Sequence, residues 1–142
     1  MAFELERIGI STKVFCHNSR LYEAFKLNPF DSFDGFSSIR AYLSCGREIK
    51  NYPIESNTLI DELSDNSCGI YCVDSKTFNE DESLSGGHFV LVYLDKNRKI
   101  TLLNPKRTVI TIIRDYPLKN FKKACELNGS WRILLGNINA IP

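Results

Sequence analysis

The segment GGHFVLVYLDKNRKITLLNP, residues 86–105, contains two apolar runs separated by a short polar stretch. Aromatic and β-branched residues dominate both runs, residues 89–94 and 100–103, which is typical of two β-strands joined by a hairpin. In the first run both alternating sets of side chains are apolar. Such a strand is usually buried on both sides, so residues 89–94 are predicted to form a central strand that is covered on both faces.

Similar short runs surround this hairpin and predict further strands of one mostly antiparallel sheet, at residues 70–73, 109–113 and 131–135. Apolar periodicity, cap residues and terminating Pro or Gly residues predict helices at residues 18–27, 37–44, 56–64 and 118–127. The chain is therefore predicted to be one α+β domain over residues 1–142. Its N-terminal helices are expected to pack on the sheet, with a late helix and a closing strand after it.

The composition is that of a folded globular domain with little net charge. Of 142 residues, 43% are hydrophobic and 25% are charged, and 18 basic residues against 17 acidic ones leave a net charge of +1. A charge this small favours neither nucleic acid nor anionic lipid as a partner. The apolar runs are strand-sized and the N-terminus lacks the order of a signal peptide, so we expect a cytoplasmic protein without a membrane segment. The odd number of cysteines, five, favours reduced thiols.

His88 is the better of two candidates for an imidazole base, because it opens the central strand directly after two glycines. A side chain there is held by the sheet while the rim remains open to substrate. The other histidine, His17, follows Cys16 directly, and consecutive residues on a helix rarely face each other. Gly86 and Gly87 end an acidic segment and are candidate substrate contacts, although a plain connection between strands is the alternative.

Hairpin geometry relates His88 to Asn104, which stands at the end of the next strand. A three-residue loop of residues 95–97, with Asn97 in the left-handed conformation, would pair His88 with Asn104. Asparagine is one of the few residue types that tolerate this conformation. An even-numbered loop would instead pair His88 with Pro105 and turn Asn104 to the other face of the sheet. Of these two registers, the first lets the Asn104 amide orient the imidazole.

Cys16 is the candidate nucleophile, because it lies at or just before the start of the predicted helix at residues 18–27. The unpaired amides and the dipole of a helix N-terminus favour the thiolate, and a nearby imidazolium lowers the pKa of a thiol further. Packing of a small buried side chain is the alternative at this position. Cys68 and Cys72 suggest a metal site with His88 only weakly, because zinc sites have closer paired spacing and a fourth ligand. Core packing is favoured for them, and no metal or cofactor is expected.

Cys16 at a helix start, the run GHFVLVY at residues 87–93 and Asn104 before a proline together resemble the cysteine peptidases that remove double-glycine leaders from bacteriocins. The late helix and closing strand, residues 118–135, also resemble that family. The resemblance implies a papain-like fold and cleavage of an amide bond in a peptide or protein substrate, without a cofactor. It further implies that Cys16 attacks the amide, that His88 transfers the proton and that Asn104 orients the imidazole.

The sequence departs from the family pattern at three places. His17 follows the cysteine where the family has glycine, and Asn104 stands where the family usually has aspartate. Asparagine is the papain residue and also orients a histidine by hydrogen bonding. The glutamine that helps to form the oxyanion hole is missing before Cys16, so Ser11, Thr12 or a backbone amide would have to replace it. Loss of one such donor typically costs about 10²–10³ in rate.

Three other functions remain open on the sequence alone. Enzymes of this fold also deamidate or transamidate glutamine as bacterial effectors, and the sequence does not separate that chemistry from peptide cleavage. A catalytically impaired domain that binds a peptide or a partner protein in the same cleft is favoured by the missing glutamine. A cell-wall amidase would require export, for which no signal peptide is evident. The sequence indicates no oligomeric state.

Overall fold

The computed structural model describes residues 5, 7–15, 46, 48–50, 61–63, 67–79, 83, 86–105, 109–126 and 132–136. The predicted helices at residues 18–27 and 37–44, most of the one at residues 56–64, and Cys16, His17 and Trp131 lie outside the described residues. Seven strands lie within them: β1 (Ser11–Phe15), β2 (Ile49–Lys50), β3 (Cys68–Asp74), β4 (Gly87–Leu94), β5 (Ile100–Pro105), β6 (Ile110–Ile113) and β7 (Arg132–Gly136). The helices with described bounds are α1 (Ser75–Asn79) and α2 (Leu118–Glu126).

All seven strands belong to one sheet, in the spatial order β2-β1-β7-β3-β4-β5-β6. β1 and β2 are parallel, and every other neighbouring pair is antiparallel. The prediction of an α+β chain with a mostly antiparallel sheet is confirmed at this level. β4 lies between β3 and β5, as its two apolar faces predicted, and the closing strand β7 lies between β1 and β3.

One face of the sheet, here called the covered face, packs against the two helices. Tyr71, Val90, Val92 and Leu102 lie on it with almost no exposed surface, in one cluster with Phe121 of α2. The Phe121 and Tyr71 rings meet edge to face, with 5.3 Å between their centroids. Full burial of one large apolar side chain contributes about 1.5–3 kcal/mol. This cluster is therefore the main core of the described part of the chain.

α2 supplies much of that cluster because its apolar residues repeat with the helical period. Phe121, Ala124 and Cys125 are all buried, at spacings of three and four residues, while Lys119 and Lys123 are exposed. The helix agrees with the predicted one up to its last described residue. No helix in the described part of the chain is long and apolar enough to cross a membrane.

The opposite face, here called the open face, is less covered than predicted. Leu91 and Tyr93 of β4 are half-buried there, but Phe89 is 47% exposed. Ile110 and Ile112 of the edge strand β6 are 65% and 55% exposed. The prediction that the central strand is covered on both faces is therefore wrong at its Phe89 end. The apolar side chains on both faces of residues 89–94 reflect the central position of the strand in the sheet. How much of each face is buried depends on how far other elements extend over that face.

β1, β2 and α1 are described elements that the sequence patterns did not predict. In β1, Thr12 and Val14 are buried while Ser11 and Lys13 are exposed, so its alternation becomes visible only once the strand is paired. α1 has five residues, too few for a helical period to be recognised.

Candidate active site

The β4–β5 hairpin brings His88 and Asn104 together, although in a register that differs from the predicted one. Leu94 pairs with Ile100, whereas the predicted loop would have paired it with Arg98. The observed register is displaced by two residues. Because side chains alternate between faces with a period of two, this displacement keeps His88 and Asn104 on the same, covered face.

The displacement originates in the turn, where Arg98 and not Asn97 has a positive φ, of 59°. One carboxylate oxygen of Asp95 accepts hydrogen bonds from the Asn97 amide, at 2.8 Å, and from the Lys99 amide, at 2.9 Å. Asp95 and Lys99 also bond through their backbones and close a three-residue loop whose last residue is left-handed. The predicted loop length is right and the predicted residue wrong, because the Asp95 side chain makes Asp95 the first residue of the turn.

His88 Nε2 lies 2.6 Å from Asn104 Oδ1. An amide oxygen only accepts hydrogen bonds, so Nε2 carries the proton and donates it. In the neutral ring, Nδ1 is then the nitrogen that can accept a proton. Asn104 is 3% exposed and His88 is half-buried. Because an unsatisfied buried polar group costs about 1–3 kcal/mol, this contact restrains both side chains.

The chain just before β4 forms one wall of this site. The Phe78 ring of α1 lies 6.2 Å from the His88 ring between centroids, at an interplanar angle of 39°. Gly86 has φ +88°, and a Cβ there would meet no atom within 4 Å, so backbone conformation rather than space requires glycine. Gly86 and Gly87 are both exposed beside His88. Their role as substrate contacts stays a prediction.

The three cysteines in the described residues are poorly suited to act as the nucleophile. Cys72 pairs with Phe89, so alternation places Cys72 and Cys68 on the open face, opposite to His88. Cys125 is completely buried in α2. Burial raises the pKa of all three thiols, which disfavours the reactive thiolate.

The same separation of faces bears on metal binding. Cys68 and Cys72 cannot converge with His88 on one ion across the sheet. In the part of the chain that the structure describes, no group of three or more His, Cys, Asp or Glu side chains is arranged to hold a metal ion.

Cys16, the predicted nucleophile, lies outside the described residues. The preceding residue, Phe15, ends β1 and pairs with Arg132 of β7. Arg132 pairs with Tyr71 of β3, which in turn pairs with Val90 of β4. Three strand spacings, roughly 14 Å in all, therefore separate Phe15 from β4. β1 ends at the same end of the sheet at which β4 begins, but three strands away from it.

The structure places Ser11 and Thr12 far from His88. Thr12 pairs with Leu135, which through β3 is level with Tyr93, near the end of β4 that is remote from the histidine. Along and across the strands this is a separation of roughly 20 Å. Neither residue can donate a hydrogen bond to an oxyanion beside His88. The prediction that Ser11 or Thr12 acts as an oxyanion donor is therefore wrong. The sequence showed that they precede Cys16 but not that β1 begins at the end of the sheet that is remote from His88.

Sequence reasoning missed Phe78 as a neighbour of His88. A signal exists, because Asp74 stands three residues before Thr77 and its carboxylate accepts a hydrogen bond from the Thr77 amide at 2.8 Å. That spacing is typical of a helix N-cap. It would have predicted a short helix before β4, although not the direction in which its phenylalanine points.

No protein family, curated protein or solved structure matches this chain. The function is therefore argued from the site, and the resemblance to leader peptidases stays a prediction.

Proposed function

We propose that this domain is a thiol-dependent amide hydrolase of papain-like architecture, a cysteine peptidase that acts on a peptide or protein chain. The observation that carries the proposal is the 2.6 Å contact between His88 Nε2 and Asn104 Oδ1. A general base requires an imidazole that is held by one nitrogen and offers the other to the reacting group. The buried Asn104 amide meets the first condition, and the half-buried His88 ring beside the exposed Gly87 supports the second.

In the proposed reaction, His88 Nδ1 takes the proton of the Cys16 thiol, and the thiolate attacks the carbonyl carbon of the substrate amide. The imidazolium returns the proton to the leaving amine as the carbon–nitrogen bond breaks. Water, deprotonated by His88, then hydrolyses the thioester and regenerates the thiol. Asn104 accepts the Nε2 hydrogen bond throughout, which maintains the tautomer and stabilises the imidazolium.

The assignment of Cys16 rests on its predicted position at a helix start and on the family resemblance. The chemistry of the other thiols supports it, because burial disfavours the thiolate at Cys68, Cys72 and Cys125. Cys45 is the remaining alternative and provides the matched control.

Selective alkylation tests the nucleophile. The folded protein is treated with iodoacetamide at neutral pH, and the modified cysteines are identified by peptide mass spectrometry. We expect Cys16 to react at least about tenfold faster than the other four thiols, because a neighbouring imidazolium stabilises its thiolate. Cys16→Ser should remove this fast reaction and Cys45→Ser should not. His88→Gln should slow the labelling of Cys16.

Equal labelling of Cys16 and Cys45, or a Cys16 rate that does not respond to His88→Gln, would contradict the assignment. The reaction itself is then followed on a mixture of peptides that contain glutamine and paired glycines. Cleavage gives two fragments, whereas glutamine deamidation leaves the peptide intact with a small increase in mass. Activity that survives Cys16→Ser cannot come from this thiol.

A second candidate, a catalytically impaired domain that binds a peptide in the same cleft, is favoured by two observations. Ser11 and Thr12 are too distant to replace the missing glutamine as oxyanion donors, and Phe15 lies roughly 14 Å from β4. A synthetic double-glycine leader peptide distinguishes the two. Binding measured by calorimetry, with no cleavage and no fast thiol, would favour the binding domain.

A further inference from the structure

The structure assigns Phe78 as a positioning residue of His88. Its ring holds the imidazole in the orientation that directs Nε2 to Asn104 and leaves Nδ1 for the thiol. The inference rests on the proposed function, because this orientation serves catalysis only where His88 is the base.

Phe78 is itself held firmly against the core. It is 6% exposed, and its ring lies 5.5 Å from the Tyr116 ring on the side of the core cluster. The Tyr116 ring in turn meets Phe121 of α2 at 6.4 Å and 90°. Because the Tyr116 and Phe121 rings pack behind it, the Phe78 ring cannot move away from the imidazole without disrupting the core.

The backbone of α1 is fixed close to His88 at two points. The Asp74 carboxylate accepts a hydrogen bond from the Thr77 amide at 2.8 Å and caps the start of the helix. The Ser75 amide donates to the Gly86 carbonyl at 3.0 Å, which joins the two ends of the β3–β4 connection. A five-residue helix is not stable in isolation. The position of Phe78 therefore depends on these contacts and on the core behind it.

The Phe78 ring affects the His88–Asn104 hydrogen bond in two ways. It occupies space into which the imidazole would otherwise rotate, so the ring keeps the tautomer with the proton on Nε2. It also excludes water from the covered side of the hydrogen bond, and a bond shielded from water is electrostatically stronger than an exposed one. A smaller or non-planar side chain at position 78 should remove both constraints.

Nitrogen NMR of the histidines tests the inference without any substrate. The protein carries two histidines, so a His17→Gln background with ¹⁵N-labelled histidine leaves one imidazole to observe. Spectra are recorded at about pH 8.5, where free histidine is neutral. We expect a single Nε2–H tautomer in the protein that retains Phe78, and a mixture of tautomers in the Phe78→Leu variant. Exchange of the Nε2 proton with solvent should become at least about tenfold faster, equivalent to about 1.4 kcal/mol less protection.

Phe89→Leu is the matched control. Phe89 follows His88 directly but lies on the open face and is 47% exposed, so this variant should retain the single tautomer and the slow exchange. Phe78→Leu keeps an apolar core residue and is preferred to Phe78→Ala, which removes more volume. Retention of the tautomer and of slow exchange in Phe78→Leu would overturn the inference.

The two proposals fail separately. A mixed tautomer in Phe78→Leu together with an unreactive Cys16 would retain Phe78 as the residue that orients His88 and would reject the hydrolase. A reactive Cys16 whose rate is the same in Phe78→Leu and Phe89→Leu would retain the hydrolase and reject the positioning role.

Discussion

At the scale of single residues, two buried polar side chains show how this sheet accommodates polar groups. Asn104 is satisfied by His88, and Arg132 is satisfied by Glu62, with 2.7 Å between Arg132 Nε and Glu62 Oε2. The guanidinium also lies 4.4 Å from the centroid of the Phe15 ring. The Tyr71 hydroxyl, by contrast, is buried without a hydrogen-bond partner among the described residues. Burial raises the pKa of Tyr71, so the group stays neutral there.

Replacement of Arg132 should be more damaging alone than together with its partner. The Arg132 side chain is fully buried and that of Glu62 is 17% exposed. Arg132→Met leaves the carboxylate without its counter-charge, and breaking one side of such a pair costs about 3–5 kcal/mol. Urea unfolding checks this value. The Glu62→Leu/Arg132→Met double variant is the control and should recover much of the loss; a double variant less stable than Arg132→Met would contradict this account.

At the scale of elements, the short helix α1 depends on a cap that is sensitive to pH. The Asp74 carboxylate accepts hydrogen bonds from the backbone amide and the side chain of Thr77. These hydrogen bonds hold the pKa of Asp74 below its usual range. A lowered pKa in the folded state means that the charged cap stabilises the fold. The contribution is complete above the ordinary aspartate pKa of about 3.9 and is lost as the pH falls through the lower folded value.

Acidification should therefore loosen α1 before the sheet unfolds. We expect hydrogen exchange of the Thr77 amide to lose protection below about pH 3.9, while amides in the middle of β4 remain protected. Asp74→Asn keeps a side-chain acceptor without the charge, so its Thr77 protection should not show this acid transition. Persistence of the transition in Asp74→Asn would assign it to another group.

At the scale of the whole molecule, the sheet is asymmetric because α1 and α2 both cover the same face. β6 is an edge strand of the sheet, and its Ile110 and Ile112 side chains are exposed on the open face. Its four residues include no Lys or Pro, and its pairing with β5 has no bulge. Natural edge strands usually carry such features, which oppose pairing with another chain. We therefore expect the β6 edge to be prone to aggregation.

Ile112→Lys should reduce aggregation without a loss of stability. Ile112 is 55% exposed, and exposed substitutions usually change stability by within about 0.5 kcal/mol. Thermal unfolding followed by circular dichroism should give a midpoint close to the original, while light scattering on heating should fall. Ile112→Val retains the apolar edge and should scatter as before. Equal scattering in the two variants would show that β6 is not the aggregating edge.

Much of the fold was predictable because the evidence for it is local. The apolar run in residues 89–94 predicted a central strand, the spacing of Phe121, Ala124 and Cys125 predicted α2, and the apolar run after α2 predicted the closing strand. For His88 and Asn104, the sequence allowed a shared face as one of two alternatives and did not predict the observed register. A two-residue shift of register leaves both side chains on one face. The hydrogen bonds of the Asp95 carboxylate in the turn produce this shift, and the sequence pattern did not predict them.

The sequence by itself determined the strands from β3 to β7 and the helix α2, because these follow from periods of two and 3.6 residues along the chain. It also predicted a mostly antiparallel sheet, and it allowed, without requiring it, that His88 and Asn104 project to the same side. Only the tertiary structure decided that Ser11 and Thr12 lie roughly 20 Å from His88, that Phe89 is exposed and that Phe78 contacts the imidazole. Those outcomes depend on the order of strands in the sheet and on which elements cover each face. Both are set by the packing of segments distant in sequence, which no local period encodes.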